Sequence, residues 1–437
     1  MTQTDIRTTH EPPRRFQAGL WMILLLILGS VIIFQPALHG GFLWDDDVHF
    51  TANRDVARWK GIIDIWTSRH AVYYPLVLST GWAIHKVAGF NPVVFHAVTL
   101  ALHVASALLL IAVLHRWRIP GAWLAGFLFA WHPMQVESAA WICELKNTQS
   151  AFFLFASVLA LQRSGFFEAP FAVTPSAKRW HWFSIALFAL AVLSKPSVVM
   201  APVVLALVVW WKRGIRRWTD IDELFPFLII SLLASGWTVW EQRYSSGASG
   251  FEWSMPLVER LVLSGQIAGF YLAKLAWPAN VMFIYPKWEV AAGSITSWLP
   301  LVALFLSLAG LWFARGRVGR GPFVVVAAFT ALIFPLTGFF NVYFMRYAWV
   351  SDHFVYLAAI PLFVGASALI ARSERLHRIL PVLLGIVLMG VSAWFSRGHA
   401  ATFRDAETLW RVTLDKNPNA WIAHNNLGLI LRDRGDL

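Results

Sequence analysis

Apolar runs of about 16–24 residues recur along the whole chain, flanked by Trp, Tyr, Arg and Lys, and no other feature limits the fold so strongly. A run of that length crosses the roughly 30 Å hydrocarbon layer as a helix, and aromatic and basic flanks anchor it at the two interfaces. Only 14% of the 437 residues are charged and 58% are hydrophobic, whereas soluble domains carry about 25% charge. A water-soluble fold is excluded, and the expected class is an all-α polytopic membrane protein. The formal charge of +12 is spread over short loops between apolar segments. It is topology information first, and no nucleic-acid partner is expected. The single cysteine, Cys143, excludes an intramolecular disulfide and a cysteine-based metal cluster; it reads as a small apolar filler.

Candidate spans are 17–38, 93–114, 120–138, 148–163, 180–194, 197–211, 223–240, 298–314, 322–340, 354–371 and 379–396. The first follows a polar start that ends in Pro12-Pro13-Arg14-Arg15; it is too long for a cleavable signal and reads as a retained anchor. Two more apolar segments, 72–90 and 258–277, are ambiguous, and loop charge arbitrates. The basic loops are His115 to Arg118, Lys178-Arg179, Lys212 to Arg217, Arg315 to Arg320 and Arg372 to Arg378. All face the cytoplasm, as the positive-inside rule requires, only if neither ambiguous segment crosses. Both are therefore expected as interfacial or re-entrant elements on the outer side. The expectation is a bundle of about 11 spans, or 13 if both crossed.

The resulting organisation is a cytoplasmic tail at 1–16, a membrane domain at 17–398, and a polar helical tail at 399–437. Within the membrane domain, the outer loops at 39–91 and 241–297 are long. In the first, Val56, Trp59, Ile62, Ile63 and Trp66 draw one apolar stripe on a helix suited to the headgroup layer. In the tail, Ala406-x3-Trp410, Pro418 and Leu427-Gly428 match the register of tetratricopeptide repeats across one repeat boundary.

The polar residues beside these spans gather on the outer side. Asp45-Asp46-Asp47 directly follows the first span. Three adjacent carboxylates couple their titrations, so the triplet is a candidate general base or cation site; a solvated acidic loop is the plain alternative. His132-Pro133-x3-Glu137 offers hydrogen-bonding groups more readily than a metal pair, since no third ligand follows at a fixed spacing. Lys195, between two spans, either snorkels or faces a phosphate as a fixed positive charge. Tyr74, Lys146, Tyr285, Arg346, Asp352 and His353 complete the set, with an Arg–Asp structural pair as the alternative for Arg346 and Asp352. Carboxylates that can take a proton, with cations that can hold a phosphate, suggest group transfer from a phosphorylated, membrane-resident donor.

Several of these motifs resemble one family. Phe42-Leu43-Trp44-Asp45-Asp46, Tyr74-Pro75-Leu76, Phe95-His96 to His103, His132-Pro133-x3-Glu137, Ser194-Lys195 and Asp352-His353-x2-Tyr356-Leu357 look like the transmembrane and tetratricopeptide-repeat-containing family, whose animal members are protein O-mannosyltransferases. More distantly, Asp46-Asp47-Val48-His49-Phe50 is similar to the Asp-Glu-Val-His-Phe of the protein O-mannosyltransferases. The resemblance implies a C-type glycosyltransferase bundle in a bacterial inner membrane, with its active face in the periplasm. It implies inverting transfer of a sugar such as mannose from a polyprenyl-phosphate donor to a protein, lipid or glycan hydroxyl. Asp46 would be the base, flanked by Asp45 and Asp47. Lys195, Arg346, Tyr74 and His353 would face the donor phosphate, while His132, Glu137, Lys146, Tyr285 and Asp352 would serve the acceptor or support the site. No metal is expected, although Mg²⁺ or Mn²⁺ at Asp45–Asp47 stays open. Two departures stand out: Tyr73-Tyr74-Pro75 lacks the Arg that commonly precedes this Pro, and the repeat array is nearly absent. The rival expectations are a membrane scaffold with a repeat tail and a transporter of a lipid-linked sugar.

Overall fold

The computed structural model describes residues 14–67, 74–168 and 174–436, and among these every regular element is a helix. The α-helices are α1 Arg14–Leu38, α2 Arg54–Ala57, α3 Gly61–Thr67, α4 Pro75–Ala88, α5 Pro92–Arg116, α6 Ala122–Trp131, α7 Val136–Ala140, α8 Leu145–Arg163 and α9 Pro175–Ser194. They continue as α10 Ala201–Lys212, α11 Phe225–Tyr244, α12 Leu257–Ala276, α13 Ile295–Val318, α14 Gly321–Ile333, α15 Ala359–Arg372, α16 Leu380–Ala400, α17 Ala406–Lys416 and α18 Trp421–Arg434. Their starts carry ordinary signals. Asn91 caps α5 ahead of Pro92, Thr174 caps α9 ahead of Pro175, and Asp405 caps α17 through the Thr408 N–H.

Helices 17–38, 92–116, 222–244, 295–318 and 380–403 are long and apolar enough to cross a membrane by themselves, so the chain is a multi-pass membrane protein. Helix α13 buries none of its residues, and Leu299, Phe305, Leu306 and Phe313 are exposed; in a bilayer such a surface meets lipid rather than water. Where helices touch each other, small hydroxyl residues substitute for absent hydrophobic drive. Ser150 of α8 donates to the Ala191 carbonyl of α9 at 2.8 Å, and Ser157 and Ser184 bond each other's carbonyls at 2.8 Å.

The bundle has two chemically distinct ends. At one, Gln162 donates to the Val113 carbonyl, His181 meets Glu223 at 3.1 Å, and Arg320 donates to the Trp210 carbonyl. These contacts gather the ends of α5, α8 and α10 and the starts of α9, α11 and α14, and with them the basic loops. The acidic loop, the α7–α8 junction, Lys195 and residues 338–352 share the opposite end.

Helix α12 settles the status of segment 258–277. Near its start Arg260 donates to the carbonyls of Gly338 and Phe339, and near its end the Tyr271 hydroxyl donates to the Ser351 carbonyl. Both ends of α12 therefore sit at the acidic end, and the helix makes no crossing. Helix α4 lies against the short helices of the acidic loop along its length: Trp66 Nε1 donates to Ser79 Oγ at 2.9 Å, Trp82 Nε1 to the Arg58 carbonyl at 2.9 Å and Lys86 Nζ to the Ala57 carbonyl at 2.6 Å; residues 72 and 73 of that segment lie outside the described residues. Among the described residues, eleven helical segments then run between the ends, with α6 and α7 counted as one.

Three local expectations change. The stripe from Val56 to Trp66 is two short helices rather than one. Arg58 is extended at the break (ψ 150°), with its guanidinium on Asp55 at 2.8 Å and Asp64 at 2.9 Å. Helix α8 starts at Leu145, three residues before 148. The segment 354–371 opens with a 3-10 turn at Asp352–Phe354 and becomes α-helical only at Ala359.

Candidate active site at the acidic end

The site starts from a backbone irregularity. Trp44 has φ of 44°, in the left-handed region that a bulky residue occupies only under tertiary constraint. Its ring is stacked on Trp141 and meets Phe283, Phe344, Tyr347 and Trp410 edge-on. This cage turns the chain so that the three following carboxylates diverge. Asp46 is fully buried, and its oxygens accept the backbone N–H of Leu43 at 2.7 Å and of Cys143 at 2.5 Å. Asp47 is exposed and accepts from Thr51 Oγ1 at 2.6 Å. Asp45 is half-buried, and no side-chain or backbone group among the described residues bonds its carboxylate.

Burial pushes the Asp46 carboxyl well above its ordinary value, with the two backbone donors opposing and the Asp45 charge adding to the rise. The Asp45 carboxyl is also raised by burial, with Lys146 pulling it back. His49 Nδ1 donates to the Asp45 carbonyl (2.9 Å) and lies 3.6 Å from Cys143 Sγ. Burial first, and Lys146 second, lower its pKa to about 4. Tyr74 stacks on His49, and burial raises its hydroxyl to about 12.

Behind the acidic loop, Glu144 is wholly enclosed between two lysines, with Lys146 Nζ at 3.1 Å and Lys195 Nζ at 2.8 Å. Burial alone would raise its carboxyl; Lys146, Lys195 and His353 outweigh that and hold it below the usual carboxylate range. Two ammonium groups against one carboxylate leave this cluster with one surplus positive charge beside Asp45. Lys146 also donates to Cys143 Sγ at 3.3 Å and stands over the Tyr74 ring at 5.3 Å.

A second network adjoins it. Glu137 accepts from His353 Nδ1 at 2.6 Å, from Ser351 Oγ at 3.0 Å and from the Asp352 N–H at 3.1 Å. Asp352 in turn accepts the Tyr285 hydroxyl at 2.7 Å and lies 3.5 Å from His399 Nε2. His353 links the two networks, its Nε2 being 4.0 Å from Glu144.

The structure thus joins Asp45, Asp46, Tyr74, Glu137, Lys146, Lys195, Tyr285, Asp352 and His353 in one connected end. It separates three residues from them, the exposed Asp47 being the first. His132 is spent on the Leu275 carbonyl (3.2 Å) and its own turn at Met134, and makes no pair with Glu137. Arg346 is exposed, reaches Tyr343 at 3.4 Å and stands over Trp421. It lines an open pocket with Lys287 and Trp349 instead of joining Lys195, and it makes no ion pair with Asp352. Asp45–Asp47 do not converge, and among the described residues no three ligand-type side chains are placed to hold a metal ion. Sequence reasoning noted Glu144 beside Lys146 but gave it no role, and it passed over Ser351 and His399. Glu144 had a signal: a carboxylate between two apolar runs, two residues before a lysine, is costly unless paired.

Fold and site define a class: a multi-pass helical membrane protein with a buried, mixed-charge centre at one interface. No family model matches the chain. The curated relatives are more informative. Protein O-mannosyl-transferase TMTC4 of Homo sapiens is 22% identical over 505 aligned residues, covering 100% of this chain and 67% of the relative. The Mus musculus counterpart is 24% identical with the same coverage, and Mus musculus TMTC1 is 30% identical over 36% of this chain and 18% of its own length. The chain is thus similar along its whole length to proteins named protein O-mannosyl-transferase. Among solved structures, ArnT from Cupriavidus metallidurans, bound to undecaprenyl phosphate, superposes on 91% of this chain and 78% of its own, with a TM-score of 0.40 and 14% identity.

Proposed function

We propose that the chain is a membrane glycosyltransferase that moves a sugar, mannose being the first to test, from a polyprenyl-phosphate donor to a hydroxyl acceptor with inversion. The names of its relatives support glycosyl transfer. The observation that carries the mechanism is the state of Asp45: half-buried, its carboxylate without a hydrogen-bond partner among the described residues, and beside a cluster with one surplus positive charge. Asp45 takes the proton of the acceptor hydroxyl as that oxygen attacks the anomeric carbon. The bond from that carbon to the phosphate oxygen breaks, and polyprenyl phosphate leaves. Its growing negative charge is stabilised by Lys146 and Lys195.

Asp46, although the family motif points to it, is assigned here the task of pinning Leu43 to Cys143, because both its oxygens are occupied and none of its surface is open. Arg346, further out, meets the donor or acceptor at the mouth. The lipid tail lies in the bilayer and the acceptor is a protein, lipid or glycan. The basic loops at the far end orient the site to the periplasmic face of a bacterial inner membrane. Charges concentrated at one interface favour transfer over transport, which places them near the midplane. The proposed chemistry asks for no metal, and chelation leaves the rate unchanged; restoration by Mg²⁺ or Mn²⁺ would return a cation to the acidic loop.

Transfer from labelled polyprenyl-phosphate mannose tests the assignment. Asp45→Asn lowers kcat by about 10²–10⁴-fold while the protein stays folded. Full activity in Asp45→Asn would sink it, and activity lost in Asp46→Asn with folding and loop structure intact would return the base to Asp46. Since the Asp45 carboxyl is raised and the base must be ionised, the rate falls on acidification already above the ordinary carboxylate range.

A further inference from the structure

The two helices after the last span are built into the acidic end. Trp410 of α17 is 1% exposed, and its indole stands edge-on to Trp44 at 5.8 Å and to Phe283 at 5.6 Å. Trp44 is the left-handed residue that precedes Asp45, and its conformation depends on the rings around it. Of those five rings, Trp410 is the one supplied from beyond the membrane domain.

Two more contacts follow from the same helix. At its C-terminal end Lys416 Nζ donates to the Val281 carbonyl at 2.8 Å, and Asn417 Nδ2 donates to the Ile284 carbonyl at 3.1 Å. They bracket the segment that delivers Tyr285 to Asp352. The connection is close as well: a Cβ on Gly40 would lie 2.9 Å from the carbonyls of Ala37 and Phe403, and the Gly41 N–H donates to the Arg404 carbonyl at 3.3 Å. The start of the acidic loop and the start of the tail pack backbone to backbone, which only glycine at position 40 allows.

We propose that Trp410 is a positioning residue for transfer: it acts through Trp44 to hold the Asp45 carboxylate toward the acceptor, while Lys416 and Asn417 hold Tyr285 on Asp352. The tail's first helix is then part of the transfer site, whatever else the repeats bind. This rests on the glycosyl-transfer reading above. Aromatic packing can carry such a role because a buried indole has few alternative rotamers and a large contact area. The catalytic cost of error is steep, since displacement of about 1 Å can lower a rate about 10²-fold.

The test uses the full chain in lipid nanodiscs, with Trp410→Ala, Trp410→Phe and Asn417→Ala. Two readouts are taken: kcat and KM with polyprenyl-phosphate mannose, and amide hydrogen exchange of residues 41–47, α5 and α8. Trp410→Ala lowers kcat about tenfold or more and leaves donor KM within about twofold, because the donor contacts are untouched. Exchange quickens at 41–47 and stays unchanged in α5 and α8; Trp410→Phe restores most of the rate. Should Trp410→Ala fail to fold, Asn417→Ala carries the same test, with a several-fold loss of kcat at unchanged KM. An unchanged kcat in Trp410→Ala, or α5 and α8 loosening together with 41–47, would overturn the proposal. A wild-type chain that transfers no sugar would instead overturn the glycosyl-transfer reading, and selective exchange at 41–47 would still support the coupling of tail and loop.

Discussion

At the acidic end, Glu144 has no exposed surface and touches two lysines that are themselves 11% and 14% exposed. At the basic end, Arg372, Arg375 and Arg378 are open to solvent, and no ion pair is formed by them among the described residues. Both regions are rich in charge, yet the physics differs. Exposed arginines cost little and act collectively, by biasing which loops stay in the cytoplasm. Buried ions lose hydration worth several kcal/mol each, and partners only offset that loss. A fold that keeps Glu144, Lys146 and Lys195 together under a membrane surface retains them at a cost to stability, which is the pattern expected where charge is used rather than merely displayed.

The largest test of this contrast is Glu144→Gln. It strands two lysines in an enclosed site, and the fold loses about 3–5 kcal/mol, read as thermal unfolding in detergent; a loss under about 1 kcal/mol would erase the distinction between the ends. Tyr285→Phe is milder. It removes the donor to buried Asp352 and costs about 1–3 kcal/mol by the same assay.

A pH scan comes next. His49 titrates near its ordinary 6.5 when unfolded but at about 4 in the folded chain. The unfolded state therefore binds the extra proton between those values, and stability falls as pH drops through 6.5 toward 4. His49→Gln flattens that part of the profile; an unchanged slope would mean that other groups set it. The smallest effect belongs to Arg375→Ala, which changes stability by less than about 0.5 kcal/mol and leaves transfer unaltered.

Hydropathy and loop charge made the bundle legible, because both are sums over many residues and survive local error. The in-plane reading of 258–277 is an example: the charge pattern required it, and Arg260 and Tyr271 show the contacts that produce it. The helix break at Arg58 was invisible because it depends on Asp55 and Asp64 competing for one guanidinium. In the site, residue types and face were readable, but the division of labour inside Asp45-Asp46-Asp47 was not. It is decided by the N–H of Cys143, 97 positions away from Asp46, and by a cage of five rings assembled from four separate segments. Glu144 was under-read for the same reason, since its second partner, Lys195, is 51 positions distant.

Because α12 returns to the side from which it started, residues 245–256 and 277–294 share a compartment, and the whole stretch between α11 and α13 must end up together on one side of the membrane. Its 20-residue helix would have to be kept from committing as a span during biogenesis. A single mistaken crossing there would invert every later helix and carry Asp352 and His353 to the opposite compartment from Asp45. The orientation of the second half of the protein thus hangs on the marginal hydrophobicity of one helix, and substitutions that make α12 greasier should be harmful out of proportion to the contacts they alter.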